Sequence, residues 1–247
     1  MNHLVRAELL KLITTRAPQA LAAGAVVFVA VSALRTTSDA GRLGASSIGT
    51  TGAVLDLLSG YRVAAVAAAV LGALVATLEH RHGTLTSYLL RAPRRSSLVL
   101  TKVVAVALVT TAIGLAGLAV VVAAGLGSGA LTSGATTEPV VLRAAGLLLT
   151  YPAYGLIGLG VGLLLPRYQA LVAVLPAAWL LVLEDLVFAS FTSHVPAWAL
   201  SRVGESVASA YDVHPVLPAW AGAALLVAYA AVVCAVGAVR IRRLDVA

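Results

Sequence analysis

The sequence predicts an all-α membrane protein with six transmembrane helices. Of its 247 residues, 60% are hydrophobic and 11% are charged, whereas a soluble domain has about 25% charged residues. Several apolar stretches reach the roughly 20 residues that a helix needs to cross a bilayer core of about 30 Å. Six such stretches leave too little polar surface for a soluble helical protein. We therefore predict one six-span membrane domain over residues 1–247.

The spans follow one another along the chain with short polar connections. We place them at residues 17–34, 60–78, 98–126, 142–165, 168–191 and 217–239. Pro152 and Pro176 fall within the fourth and fifth spans and predict interruptions there. Cys234 lies in the sixth span and, as the single cysteine, is interpreted as a packing residue.

Residues 1–16 predict an amphipathic helix that lies at the membrane surface before the first span. Its apolar side chains fall at helical spacing on one stripe, which comprises Val5, Leu9, Leu12 and Ile13. Arg6, Lys11 and Arg16 would hold this helix at lipid headgroups, and the chain would turn near Pro18. The alternative is a solvated, positively charged lead-in.

The distribution of charge predicts the orientation of the chain. The net charge is +7, which by itself could indicate a nucleic-acid partner. With both termini in the cytoplasm, however, 12 of the 17 Lys and Arg residues fall on the cytoplasmic side, as the positive-inside rule requires. The other five are Arg35, Arg42, Arg62, Arg143 and Arg202. We therefore expect contact with membrane lipid and no nucleic-acid partner.

Residues 79–97 form a compact polar segment between the second and third spans. Gly83 permits a break after the second span, Thr84 is a suitable N-cap, and Pro93 ends the short helix between them. A segment this charged does not lie in hydrocarbon. It predicts a folded protrusion at one membrane surface.

The short helix predicted within residues 79–97 has one apolar face. Leu85, Tyr88 and Leu89 share that face, and Arg94 follows it. An apolar face with charged flanks is suited to a groove on a partner protein. An ordinary loop that obeys the positive-inside rule would explain the arginines but not the apolar face.

Three parts of the chain together resemble the type-2 ATP-binding-cassette permease family. They are the amphipathic start Arg6–Leu12 with Arg16, the run Glu79–Thr84 followed by Pro93, Arg94 and Lys102, and the terminal run Arg242–Val246. In that family an interfacial elbow helix precedes six spans, and a coupling helix between spans two and three docks on the ATPase. The resemblance implies that Glu79, Arg81, Gly83 and Thr84 form the docking motif, with Arg94 and Lys102 on its basic flank.

The chain has no ATPase motif of its own. Neither Lys11 nor Lys102 lies in a G-x-x-x-x-G-K-[ST] loop, and neither a G-x-S-x-G nor an HExxH motif is present. We therefore expect a non-enzymatic subunit without a cofactor, whose partner, a cassette ATPase, binds ATP and Mg²⁺.

The resemblance further implies a second permease copy or a related permease, and outward transport of a drug, peptide, antibiotic or lipid-like amphiphile. Arginine outnumbers lysine 15 to 2, which favours a bacterial source and hence the bacterial cytoplasmic membrane. The alternatives are a secondary transporter that uses Glu184 as a proton or ion carrier, and a non-transporting immunity or sensory subunit.

Two acidic residues, Glu184 and Asp185, fall within the fifth span. Such residues are rare in membranes and mark either a function or a structural pair. A functional role would be cation coordination, a proton-linked gate or substrate contact. The structural alternative is a pair with Arg143 or Arg62, which lie at the same predicted depth.

Small residues in the fourth span predict close helix packing. Gly155, Gly158 and Gly162 allow two backbones to approach, either within the chain or at a dimer seam.

Residues 192–216 predict a helical loop on the extracellular side. Pro196 is the predicted first helical residue, with a stripe comprising Ala197, Leu200, Val203 and Val207. His194 and His214 in this loop lack further ligands nearby, so we predict no metal site.

Overall fold

The computed structural model describes residues 2–43, 57, 60–81, 95–128, 137–166, 168–191, 195–208 and 217–243. Within these ranges the secondary structure is helical, without a strand. The helices are α1 (Asn2–Thr14), α2 (Arg16–Leu43), α3 (Tyr61–Arg81), α4 (Arg95–Gly127), α5 (Thr137–Leu164), α6 (Gln169–Ala178), a π-helical turn (Trp179–Leu183), α7 (Glu184–Phe191), α8 (Leu200–Ala208) and α9 (Ala219–Arg243).

The chain is a multi-pass, all-α membrane protein. Six helical stretches of the described residues are long and apolar enough to span a membrane: Arg16–Ser38, Tyr61–Leu78, Leu98–Gly127, Val140–Leu164, Gln169–Phe188 and Ala219–Ile241. Each coincides with a predicted span to within a few residues. The fold class is therefore confirmed.

A separate helix, α1, precedes the first span. Helix α1 ends at Thr14 and α2 begins at Arg16, so only Thr15 interrupts the two helices. A continuous helix is disfavoured because the ring of Pro18 would clash with the carbonyl group of Thr14, four residues earlier. The Lys11 carbonyl oxygen at the end of α1 accepts hydrogen bonds from both the Thr15 backbone N–H at 3.0 Å and the Thr15 hydroxyl group at 2.5 Å.

Helices α3 and α5 form the centre of the bundle. In an apolar stretch of 18 residues within each span, 72% and 67% of the residues are buried in these two helices, compared with 22–33% in the other four spans. The two backbones approach closely, because a Cβ atom on Gly72 would lie 1.9 Å from the Gly155 carbonyl oxygen. A Cβ atom on Gly158 would lie 1.8 Å from the Ala69 carbonyl oxygen. Any side chain at either glycine would push the helices apart.

The predicted packing glycines of α5 serve more than one neighbouring helix. A Cβ atom on Gly162 would meet Ala76 of α3 at 2.5 Å, and one on Gly155 would meet Thr110 of α4 at 2.7 Å. Gly155, Gly158 and Gly162 thus lie at contacts within the chain. These contacts leave no free face there for the dimer seam considered above.

Three buried threonine hydroxyl groups within the spans bond to their own helices, and one thiol bonds to a neighbouring helix. The hydroxyl groups of Thr77, Thr110 and Thr150 each donate to the carbonyl oxygen four residues earlier, at 3.2, 2.7 and 2.8 Å. The Cys234 thiol of α9 donates to the Leu156 carbonyl oxygen of α5 at 3.1 Å. Hydrocarbon offers these groups no water, so the protein itself supplies their partners.

We expect Gly158→Ala to destabilise the protein by about 1–3 kcal/mol, because the new methyl group would overlap the Ala69 carbonyl group. The matched control is Gly24→Ala in α2, where a Cβ atom meets nothing within 4 Å. Thermal unfolding of both variants in detergent provides the measurement. Equal midpoints for the two variants would contradict the close α3–α5 contact.

Candidate functional site

Two polar clusters lie at opposite ends of the bundle. The first, which we call the α1 cluster, comprises Glu8 and Lys11 of α1, Lys102 of α4 and the carbonyl group of Val75 in α3. The second, the α8 cluster, comprises Arg62, Glu184, Asp185, Ser201, Arg202 and Glu205. The first lies near the end of α3 and the second near its beginning.

Lys102 is the centre of the α1 cluster. Its side chain is 1% exposed, and its Nζ atom lies 3.7 Å from the Glu8 Oε1 atom, which belongs to a residue that is 2% exposed. The ammonium group also donates to the Val75 carbonyl oxygen at 3.2 Å. A buried charge is costly unless a counter-charge and hydrogen bonds satisfy it. The ion pair with Glu8 and the hydrogen bond to Val75 therefore join α1, α3 and α4 at Lys102.

This placement corrects the role that the resemblance implied for Lys102. We expected it on the basic flank of the docking motif, but it lies inside the bundle. The sequence held one signal for this outcome: Glu8 falls three residues after Val5 and four before Leu12, on the stripe that was predicted to be apolar. An acid on such a stripe indicates a buried cation.

The predicted faces of α1 also need correction. Leu12 is buried and Leu9 packs against the core, whereas Ile13 is 62% exposed. Lys11 is partly exposed, and its Nζ atom lies 3.9 Å from the Glu8 Oε2 atom. Leu9 and Leu12 therefore pack on the bundle on the same side of α1 as Glu8, which faces Lys102.

The predicted docking segment begins at the end of α3. Glu79 and Arg81 occupy the last turn of that helix, and α4 begins at Arg95. The side chains of Glu79 and Arg81 lie outside the described part of the structure. The same holds for the complete residues Gly83, Thr84, Leu85, Tyr88, Leu89 and Arg94, and so for the predicted cap and docking helix.

Glu184 is the buried carboxylate of the α8 cluster. It is 1% exposed, and its Oε1 atom accepts hydrogen bonds from the Ser201 backbone N–H at 2.8 Å and the Ser201 hydroxyl group at 2.9 Å. Ser201 is the second residue of α8, where backbone N–H groups lack partners within the helix. Glu184 therefore acts as an N-cap supplied by another helix.

A π-helical turn directly precedes Glu184. The Glu184 N–H bonds to the Trp179 carbonyl oxygen five residues earlier. Pro176, three residues before the turn, is the predicted source of interruption in this span. The guanidinium group of Arg62 donates to the Leu180 carbonyl oxygen at 3.1 Å, which satisfies a carbonyl group within the turn.

Asp185 and Glu184 have different partners. Asp185 pairs with Arg62 at 3.7 Å, and Arg62 also lies 3.6 Å from Glu205 of α8. Arg143 donates to the Ser206 carbonyl oxygen at 2.9 Å, so the proposed Arg143 pair is wrong. The Arg62 alternative holds for Asp185 but not for Glu184, which Ser201 binds. The sequence did not indicate that Ser201 binds Glu184, because serine is common in polar loops.

Helix α8 is held by four spans. Besides Glu184, Arg62 and Arg143, the Tyr154 hydroxyl group binds it by donating to the Leu200 carbonyl oxygen at 2.8 Å. The Tyr229 hydroxyl group donates to the Trp198 carbonyl oxygen at 2.8 Å, in the turn that leads into α8.

The predicted helix in residues 192–216 is present, but it does not begin at Pro196. The Pro196 carbonyl oxygen accepts from the Ala199 N–H in a turn, and α8 starts at Leu200. Val203 and Val207 of the predicted stripe are buried.

A small cleft separates α8 from the bundle. It is lined by Tyr61, Arg62, Tyr154, Leu180 and Ser201, among others, and its volume is about 10 Å³. That volume is about the minimum that holds one water molecule. Among the described residues no group of three His, Cys, Asp or Glu side chains could hold a metal ion, and His194 and His214 lie outside them. The cluster thus clamps α8 rather than enclosing a substrate.

No family model matches the sequence, and no curated protein matches it significantly. A functional assignment therefore rests on the sequence pattern and on the geometry of the two clusters.

We expect Lys102→Met to destabilise the protein by about 3–5 kcal/mol, because it leaves the buried Glu8 carboxylate without its main counter-charge. The double variant Glu8→Gln/Lys102→Met should recover most of this loss, since both charges are then removed. Thermal unfolding of the single and double variants forms a double-mutant cycle. Additive effects would show that the two side chains do not interact.

We expect Glu184→Ala to loosen α8, because the N–H group of Ser201 loses its acceptor. Hydrogen exchange of residues 200–208 should accelerate about tenfold, which corresponds to roughly 1.4 kcal/mol. Asp185→Asn is the matched control, since the Asp185 carboxylate pairs with Arg62, whereas both Ser201 hydrogen bonds go to Glu184. Unchanged exchange in the Glu184 variant would refute the capping role.

Proposed function

We propose that this chain is the membrane-spanning permease subunit of an ATP-driven exporter of the type-2 ATP-binding-cassette family. It would move a drug, peptide, antibiotic or lipid-like amphiphile outward across the bacterial cytoplasmic membrane, with both termini in the cytoplasm. A separate cassette ATPase would bind ATP and Mg²⁺ and catalyse hydrolysis. The permease itself would be no enzyme.

One observation carries this proposal. The amphipathic helix α1 is joined by a buried ion pair to the end of the bundle at which residues 79–97 leave α3 and enter α4. A charged segment next to an anchored surface helix is suited to receive force from a partner and pass it to the spans. Neither feature is needed merely to fold six apolar helices.

The source of energy supports a separate partner. The sequence has no phosphate-binding loop, so nucleotide-driven movement would have to enter through a surface. Closure of two ATPase subunits would displace the docking segments of two permease copies. Rigid-body movement of the copies would then alternate access between the two sides of the membrane.

The burial pattern agrees with a substrate path between copies rather than within one chain. The α3–α5 contact fills the centre of the bundle, whereas only 22–33% of the residues in the 18-residue apolar stretches of the other four spans are buried. Their exposed surfaces are apolar and include Phe28, Leu108, Val182 and Val232. Such surfaces are suited to contact with lipid, with a second permease and with an amphiphilic substrate. An amphiphile is therefore the class of substrate that we expect.

A second candidate is a secondary transporter that carries a proton or ion on Glu184. It is favoured by the Glu184 Oε2 atom, which is buried and makes no hydrogen bond among the described residues. The two candidates differ in their source of energy. Transport into inside-out vesicles that requires hydrolysable ATP supports the exporter, and transport driven by an imposed proton gradient alone supports the carrier.

We expect Arg94→Glu to weaken recruitment of the cassette ATPase at least about tenfold, or roughly 1.4 kcal/mol, because it reverses the charge beside the docking face. Arg35→Glu is the control, since Arg35 is exposed on α2 and is predicted on the opposite side. Co-purification from detergent, with an ATPase encoded beside this chain, measures recruitment. Equal recovery with both variants would count against the docking segment.

A further inference from the structure

We propose that Glu8 and Lys102 are positioning residues that transmit movement of the docking segment to the bundle, so that α1 and the facing ends of α3 and α4 move as one rigid unit. This inference rests on the proposed exporter function. It assigns to the buried pair a role beyond stability.

The docking segment connects the end of α3 to the start of α4. Lys102 of α4 and Val75 of α3 lie at similar distances from these two ends. Lys102 is seven residues after the start of α4 at Arg95, or about 10 Å along that helix. Val75 is six residues before the end of α3 at Arg81, or about 9 Å along that helix. The hydrogen bond from Lys102 to the Val75 carbonyl oxygen therefore joins the two stems just inside the segment.

Glu8 adds the third helix to this joint. Its Oε1 atom lies 3.7 Å from the Lys102 Nζ atom, and both residues are almost fully buried. An apolar contact between helices can slide, because one methyl group replaces another at little cost. A buried ion pair cannot slide in this way, because separation would take the buried Lys102 ammonium group away from the Glu8 carboxylate, and Lys11, at 3.9 Å and partly exposed, would not replace it for Lys102. The geometry therefore favours movement of the three helices together.

A purely stabilising role explains the pair less well. Replacing a buried ion pair by apolar residues of similar volume is often neutral or stabilising. Charged residues within membrane proteins are accordingly rare and mark functional positions. At the opposite end of the bundle, Arg62 lies 3.7 Å from Asp185 and also 3.6 Å from Glu205. Because Arg62 has two carboxylate partners, its pair with Asp185 imposes no comparable constraint.

The test uses the complete permease–ATPase complex in vesicles. The variant Glu8→Gln/Lys102→Met removes both buried charges, and Lys11, the other cation beside Glu8, is partly exposed. His3→Gln is the control because His3 lies exposed on the same helix. Three quantities are measured: ATPase recruitment, the rate of ATP hydrolysis, and substrate transported per ATP hydrolysed. A role in structure alone would not change the third quantity once the complex has assembled.

We expect the double variant to recruit the ATPase normally and to hydrolyse ATP. The amount of substrate transported per ATP hydrolysed should fall by a factor of at least about five. The His3 variant should match the unaltered protein in all three quantities. Undiminished transport per ATP in the assembled double variant would overturn the inference while leaving the exporter function intact. Failure of the unaltered chain to recruit any ATPase would overturn both.

A distance measurement keeps the inference testable if the double variant fails to assemble. Spin labels at Arg6→Cys in α1 and Leu100→Cys in α4, both exposed positions, would be introduced into the Cys234→Ala protein. The distance between the labels should be the same without nucleotide and with trapped ATP. A change in this distance during the cycle would overturn the rigid unit.

Discussion

The close contact between α3 and α5 is the constraint on which the rest of the structure depends. The two backbones meet at Gly72 and Gly158 at distances that no side chain permits. Lipid tails are as apolar as the side chains of the spans, so apolarity alone does not bring helices together in a membrane. Glycine allows the close packing that does. The remaining spans surround this pair and keep most of their apolar surface exposed.

Charged side chains are stabilised by different interactions at the two ends of the bundle. At the α1 end, Lys102 and Glu8 are buried together, and a carbonyl group of α3 satisfies the ammonium group further. At the α8 end, the buried carboxylate of Glu184 meets the N–H and hydroxyl groups of Ser201, and the arginine pairs remain partly exposed. The first arrangement ties three helices rigidly. The second clamps a short helix that four spans hold in place.

Much of the fold was predictable because it follows from local composition. The spans, the separate N-terminal helix and the helix between the fifth and sixth spans are each encoded by a contiguous pattern of apolar and polar residues. The partners of charged residues were less predictable. Lys102 was placed at the surface and Arg143 beside the acidic pair, because the sequence alone does not specify which residues of distant helices meet. The start of α8 was predicted four residues early for a related reason: Glu184 caps its first turn.

The sequence by itself determined that this protein is helical, crosses the membrane six times and carries a charged segment between the second and third spans. These properties depend on the energy of transferring each stretch into hydrocarbon, which is a property of the stretch alone. Only the tertiary structure decided that Glu8 meets Lys102, that Ser201 binds Glu184 and that the glycines of α5 pack within the chain. Such pairings depend on the relative rotation and depth of whole helices, which close packing and the satisfaction of buried charge select together.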